Sequence, residues 1–167
     1  MKEVLPLDPE PFVGCKFIAD VHLGRLAKYL RLCGFDTVYE MTLNDREIIN
    51  LSLKENRIIL SRDKELLKNR HVSQSFRIMS ADPVRQLKEV LSRYVLINKI
   101  HPFTRCMICN GEVVSVRKEE IESSLQPRTR SYYHEFRKCA NCGKIYWEGS
   151  HYEKMKNFIV NNVFNSV

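Results

Sequence analysis

Two closely spaced cysteine pairs, Cys106-Met107-Ile108-Cys109 and Cys139-Ala140-Asn141-Cys142, constrain this 167-residue chain more than any other feature. Each pair can present two thiolates from one tight turn, and four thiolates complete a tetrahedral zinc shell with no open position. Asn110-Gly111 follows the first pair and Gly143 the second. Such residues let a chain reverse so that its amides face the sulfurs. The alternative, two disulfides, would close very small rings and would need an oxidising compartment. No secretory segment is read at the amino terminus, so a reducing, cytoplasmic setting is expected. A structural zinc ribbon held by Cys106, Cys109, Cys139 and Cys142 is expected with it. Cys15 and Cys33 lie in apolar contexts and read as buried structural thiols.

A ribbon of this size cannot bury enough surface to be stable without its metal, so roughly the first hundred residues need a core of their own. They alternate short apolar runs with helical periodicity. Residues 15–19, 37–39, 57–60 and 76–79 read as strands. Leu23, Leu26, Ala27 and Leu30 mark a helix that Gly34 terminates. Asn44-Asp45 opens a helix carrying Ile48, Ile49, Leu51 and Leu53, a short helix follows Asp63, and Asp82-Pro83 opens one carrying Val84, Leu87, Leu91 and Tyr94. Strands alternating with helices imply an α/β fold around a mainly parallel sheet. Beyond His101-Pro102, strand candidates are 113–116, 133–137 and 144–147, and Tyr152, Met155, Ile159 and Val163 recur at helical spacing. The expected organisation is a Pro-rich segment 1–11, an α/β domain 12–97, a zinc ribbon 103–155, and a helix or tail 156–167. No run is long and apolar enough to span a membrane, so no membrane partner is expected.

Acidic residues follow each expected strand: Asp20, Asp45, Asp63 and Asp82. In a parallel sheet all carboxyl ends face one edge, where ligands bind. Several carboxylates on one edge repel unless a cation lies between them, and hard oxygen ligands favour Mg²⁺ or Mn²⁺. Each aspartate is equally at home as a helix N-cap. Both readings stand at this level.

Basic residues lie nearby. Arg25, Lys28 and Arg31 recur every three residues after Asp20, and Arg62 adjoins Asp63; they suit phosphate contact or a solvated helix face. Arg128-Thr129-Arg130-Ser131-Tyr132-Tyr133-His134 mixes guanidinium and aromatic groups, as single-stranded nucleic acid requires. Tyr133 and Phe136 also suit the small ribbon core, and Trp147 suits packing on the zinc turn. The formal net charge of +7 and pI near 9.2 agree with nucleic-acid contact without specifying it. His22, His134 and His151 read as structural or surface residues, since zinc already has four sulfurs. No Gly-x-Ser-x-Gly elbow, P-loop or dinucleotide fingerprint occurs.

Three segments in order resemble one family. Residues 17–31 (FIADVHLGRLAKYLR) are similar to the opening motif of the Mut-seven C-terminal RNase domain, a PIN-like nuclease family. Residues 57–63 (RIILSRD) are similar to its second motif, and residues 139–151 (CANCGKIYWEGSH) to its appended zinc ribbon. The resemblance spans roughly residues 13–155. It implies a PIN-like α/β/α sandwich, a divalent-metal acidic site and RNA cleavage. Asp20, Asp45 and Asp63 match the family's acidic positions, and Asp82 is placed by its strand end alone. On this reading Asp20, Asp45, Asp63 and Asp82 are catalytic, with Mg²⁺ or Mn²⁺ on the first three. Arg25, Lys28, Arg31, Arg62, Arg128 and Arg130 would contact single-stranded or structured RNA. The alternative is an RNA-binding module without cleavage, or an adaptor or toxin-like component of an RNA-processing complex, although no protein partner is indicated.

Overall fold

The computed structural model describes residues 14–164, so the Pro-rich segment 1–11 lies outside the described residues. The amino-terminal unit contains β1 (Lys16–Ala19), α1 (Gly24–Leu32), β2 (Thr37–Val38), α2 (Asp45–Glu55), β3 (Arg57–Ser61), α3 (Lys64–Lys68), β4 (Ser75–Arg77) and α4 (Pro83–Arg93). The four strands are all parallel, in the order β2-β1-β3-β4.

Strand periodicity divides the core into two. Phe17 and Ala19 of β1, with Ile58 and Leu60 of β3, face Leu26 and Leu30 of α1 and Leu87, Val90 and Leu91 of α4. Ile18 and Ile59 point the other way, onto Ile48 and Ile49 of α2 and Leu66 of α3. Successive side chains leave a strand on opposite faces, so a run such as Ile58-Ile59-Leu60 serves both layers. All five residues of β3 are buried, as a central parallel strand covered on both faces requires.

Local chemistry sets the helix ends. α1 closes in a Schellman turn, with Phe35 N donating to Leu30 O at 2.9 Å and Gly34 N to Arg31 O at 3.0 Å. Gly34 has φ +93°, and a Cβ there would come within 2.2 Å of the His101 carbonyl oxygen. That oxygen belongs to the connector between the two units, which crosses the end of α1. His101 N donates to Cys33 O at 3.0 Å and Phe103 N to Leu32 O at 3.1 Å, supplying donors to the helix's last carbonyls. α2 begins with a capping box in which Asn44 Oδ1 accepts from Glu47 N and Glu47 Oε2 accepts from Asn44 N.

The second unit holds β5 (Val113–Val116), α5 (Lys118–Ile121), α6 (Pro127–Tyr132), β6 (Phe136–Cys139), β7 (Ile145–Trp147) and α7 (Ser150–Asn162). β5, β6 and β7 form an antiparallel sheet in that order, with Cys139 opposite Val113 and Phe136 opposite Trp147. The strand expected at 133–137 is displaced to Phe136–Cys139. Pro127, pre-set for a first helical turn, starts α6 just upstream, and β6 has to deliver Cys139 to the second cysteine turn. α7 runs unbroken past position 155 and returns to the first unit. Ile159 and Val163 join the cluster that contains Phe17, and the rings of Tyr29 and Phe158 lie 4.5 Å apart.

Where β2 begins, Asp36 accepts from Arg57 Nη1 at 2.6 Å and from Asn110 Nδ2 at 2.7 Å, and Arg105 lies 3.8 Å away. Burial pushes the Asp36 carboxyl up. The hydrogen bonds from Arg57 and Asn110 and the charges of Arg57 and Arg105 outweigh that and hold it below the usual carboxylate range. A depressed native pKa stabilises the fold above the unfolded value and is lost as pH falls through the native one. Asp36→Asn should therefore cost about 1.5–3 kcal/mol near neutral pH, the range for a hydrogen bond to a charged group. In urea titrations its deficit relative to wild type should close below about pH 4.

Candidate active edge and four-cysteine centre

The strand order puts Asp20 and Asp63 just after adjacent strands, whereas Asp45 and Asp82 come several residues after the outer ones. Asp20 follows β1 and Asp63 follows β3, the two central, adjacent strands. Asp20 is buried, with its N–H donating to Leu60 O at 3.0 Å and its carbonyl accepting from Leu23 N at 2.8 Å. Ser61, the fully buried last residue of β3, donates its hydroxyl to Asp20 Oδ2 at 2.7 Å and accepts the Asp63 N–H at 2.9 Å. Asp20, Ser61 and Asp63 are thus one hydrogen-bonded chain across the sheet's carboxyl edge. Ser61 is the residue of this edge that residue patterns alone left out; its signal was a hydroxyl two positions before Asp63, directly after the apolar run Ile58-Ile59-Leu60.

Capping claims part of this edge. Asp63 Oδ1 accepts from Glu65 N at 2.8 Å and Asp82 Oδ1 from Arg85 N at 2.9 Å, so both are helix N-caps. Asp20 makes no such side-chain bond. Asn44, not Asp45, caps α2, and Asp45 is exposed in the first turn. Asp45 and Asp82 follow the outer strands β2 and β4. Asp45 comes seven residues after the end of β2 and Asp82 five after the end of β4, so their loops rather than the strand spacing carry them. Among the described residues, the four cysteines form a group of potential metal ligands lying within 4.8 Å of one another, whereas no three of the aspartates do.

The basic residues divide likewise. Arg25 and Lys28 are exposed on α1, Arg62 is exposed beside Asp63, and Arg128 and Arg130 are exposed on α6, with Arg130 Nε 3.9 Å from Glu122 Oε1. Arg31 is a correction: it is buried and donates to the carbonyl oxygens of Thr37, Met107 and Ile108, at 2.9, 3.2 and 3.0 Å. Steps of three residues slip about 60° around a helix of 3.6 residues per turn. By Arg31 the row has turned about 120° from Arg25, out of solvent and against the ribbon, so this side chain does not reach a phosphate.

At the cysteine centre, Cys106 Sγ lies 3.7 Å from Cys142 Sγ and Cys109 Sγ 3.4 Å from Cys139 Sγ. Zinc–sulfur bonds of about 2.3 Å in a tetrahedron place sulfurs about 3.8 Å apart, so this donor set fits a metal such as zinc. The two turns match: Asn110 N donates to Cys106 O at 2.8 Å, and Gly143 N donates to Cys139 O at 3.1 Å. Asn110 and Gly143 have φ of +68° and +74°. The aromatic residue that meets the sulfurs is Tyr146, with Oη 3.0 Å from Cys106 Sγ. Trp147 instead lies against Tyr133, with ring centroids 6.3 Å apart. Burial pushes the Cys106 and Cys109 thiols up; hydrogen bonds from Tyr146, the Cys109 and Ile108 amides and Cys142 bring Cys106 down to about 6, while those with Cys139, Cys142 and Cys106 help hold Cys109 up at about 12. Cys33, wholly buried, is pushed up to about 12 by burial and is chemically quiet.

The family model described as Mut7-C RNAse domain matches residues 15–159. The chain belongs to the Mut7-C RNAse domain family. The match takes in both units, from the residue before β1 to the buried Ile159 of α7. Membership in this RNase domain family points to a nuclease-like, RNA-related function, with RNA as the implied substrate. No curated protein and no solved structure matches the chain. Among the described residues no helix is long and apolar enough to cross a membrane.

Proposed function

We propose that this Mut7-C domain is a divalent-metal-dependent, PIN-like ribonuclease that hydrolyses RNA phosphodiester bonds at the carboxyl edge of its parallel sheet. The observation that carries this reading is the Asp20–Ser61–Asp63 chain. Ser61 engages Asp20 Oδ2 and the capping Glu65 amide engages Asp63 Oδ1, which leaves Asp20 Oδ1 and Asp63 Oδ2 as hard oxygen donors for Mg²⁺ or Mn²⁺. Asp45 or Asp82 would complete the set from a flanking loop. When bound, such an ion supplies charge neutralisation at phosphorus and a water acidic enough to attack in line. Ser61 holds the Asp20 carboxylate in one rotamer, and the central-strand backbone fixes its height relative to Asp63. Arg25, Lys28 and Arg62 would receive the phosphates that flank the scissile one, and exposed Tyr132, Arg128 and Arg130 of the ribbon would contact unpaired nucleotides. The four cysteines would hold a structural zinc, closed to chemistry.

The capping bonds of Asp63 and Asp82 favour a second reading, RNA binding without cleavage. Purified protein with Mn²⁺ and end-labelled RNA separates the two. Wild type should cut, chelator should stop it, and Asp63→Asn should slow it on the order of 100-fold, as removal of one charge-stabilising group does. Equal cleavage by wild type and Asp63→Asn would reject the site, and RNA binding by a wild type that never cuts would favour the second reading.

A further inference from the structure

β2 is the edge strand of the parallel sheet, and its outer side is occupied by the first cysteine turn. Phe17 N donates to Asp36 O at 2.8 Å across the β1–β2 ladder, so the alternation of the ladder turns the Thr37 N–H and C=O away from β1. Both find partners tied to the ribbon. Thr37 N donates to Asn110 Oδ1 at 2.9 Å, and Thr37 O accepts from Arg31 Nε at 2.9 Å. The other end of Arg31 donates to the Met107 and Ile108 carbonyls, the two residues between Cys106 and Cys109. Asn110 also donates to Asp36 Oδ1 at 2.7 Å. Gly143 marks the equivalent point of the second turn, where the same backbone twist is met without a side chain. An asparagine at the strained position of the first turn is therefore explained by what it touches on β2.

Electrostatics run in the same direction. Four thiolates around one dication carry a net charge of about two minus, and the buried Arg31 guanidinium sits directly behind two of them. A buried guanidinium needs compensating partners, and the turn keeps its carbonyls in place only while the sulfurs hold it shut.

We propose that the first cysteine turn is a metal-dependent clamp on the sheet edge. Arg31 and Asn110 act as positioning residues that couple metal occupancy to the order of β2, and through its pairing with β1 to the strand that ends in Asp20. The clamp rests on the zinc centre proposed above but not on RNA cleavage. Coupling of this kind is reciprocal: metal orders β2, and the bonds to β2 raise metal affinity.

The test uses the full chain, with zinc as the probe, chelator competition for affinity and amide hydrogen exchange for order. Arg31→Met should weaken zinc binding about 10- to 100-fold, the usual effect of losing a residue that supports metal ligands. Stripping zinc from wild type should speed exchange at Thr37 and Phe17 while Ile78, which donates to Ser61 O at 2.9 Å, stays protected. Asn110→Gly keeps the turn but removes both bonds to β2, so its Thr37 amide should exchange fast whether or not zinc is present. A wild type that binds no zinc would refute the metal centre and the clamp together. A zinc-loaded wild type whose affinity Arg31→Met leaves unchanged would refute the clamp alone. So would Thr37 protection that still follows zinc in Asn110→Gly, a comparison that holds even if Arg31→Met fails to fold.

Discussion

Asp20→Asn should abolish most RNA cleavage, lowering the single-turnover rate on the order of 100- to 1,000-fold, while RNA affinity stays within a few-fold of wild type. The magnitude is that of removing one group that stabilises charge in the transition state, about 2.7–4 kcal/mol. Asp20 is the strongest test because it is buried at the centre of the edge and its side chain caps no helix. Asparagine keeps the shape and an oxygen for the Ser61 hydroxyl, so the loss reports charge rather than folding. A thermal midpoint equal to or above that of wild type is expected, since a buried anion is replaced by a neutral amide. Ser61→Ala is the companion: it leaves both carboxylates but frees Asp20 to rotate. Its effect should be smaller, about tenfold, and should fall on the rate rather than on RNA affinity. Full activity in Asp20→Asn would remove the sheet edge from the mechanism.

The second large effect is structural. Cys139→Ser should abolish stoichiometric zinc and unfold the ribbon. Cys139 is fully buried, ends β6, lies opposite Val113 and accepts from Cys142 N at 3.5 Å. Structural zinc sites are worth about 10–16 kcal/mol of folding free energy, comparable with the whole stability of a domain. The ribbon has little else: Cys106, Ile121, Phe136 and Cys139 are its buried apolar residues among those described before α7. Elemental analysis should give near one zinc per chain for wild type and little for the variant, and the thermal midpoint should drop by more than about 10 °C. Since α7 carries Ile159 and Val163 into the core of the first unit, release of the ribbon should also weaken that core. Zinc-free protein with a protected β5–β6 ladder would overturn the assignment.

Much of this was legible in the sequence because it depends on near neighbours. The apolar run Ile58-Ile59-Leu60, the glycine after α1 and the Asp-Pro opening of α4 are each legible from two or three adjacent side chains and the backbone geometry they favour. Other outcomes turned on partners far along the chain. Arg31 looks like the third member of an exposed basic row until the ribbon, some 76 residues later, is laid against it. The segment around Tyr133 mixes rings and charges in a way that suits a strand, yet Pro127 and the need to place Cys139 shift that strand toward the cysteine turn. Tyr146 and Trp147 are adjacent, and only the register of β6 against β7 decides which of them meets the sulfurs.

The sequence by itself determined the four-thiol centre and an aspartate after each parallel strand, because metal-binding turns and strand ends are written in local spacing. The tertiary structure decided which of those groups lie on neighbouring strands. The order β2-β1-β3-β4 makes Asp20 and Asp63 neighbours through Ser61. The docking of the first cysteine turn on β2 takes Arg31, a candidate RNA contact, out of solvent and onto the Met107 and Ile108 carbonyls. Both depend on which surfaces pack across the chain, and the burial of apolar area that drives such packing is non-directional and non-local.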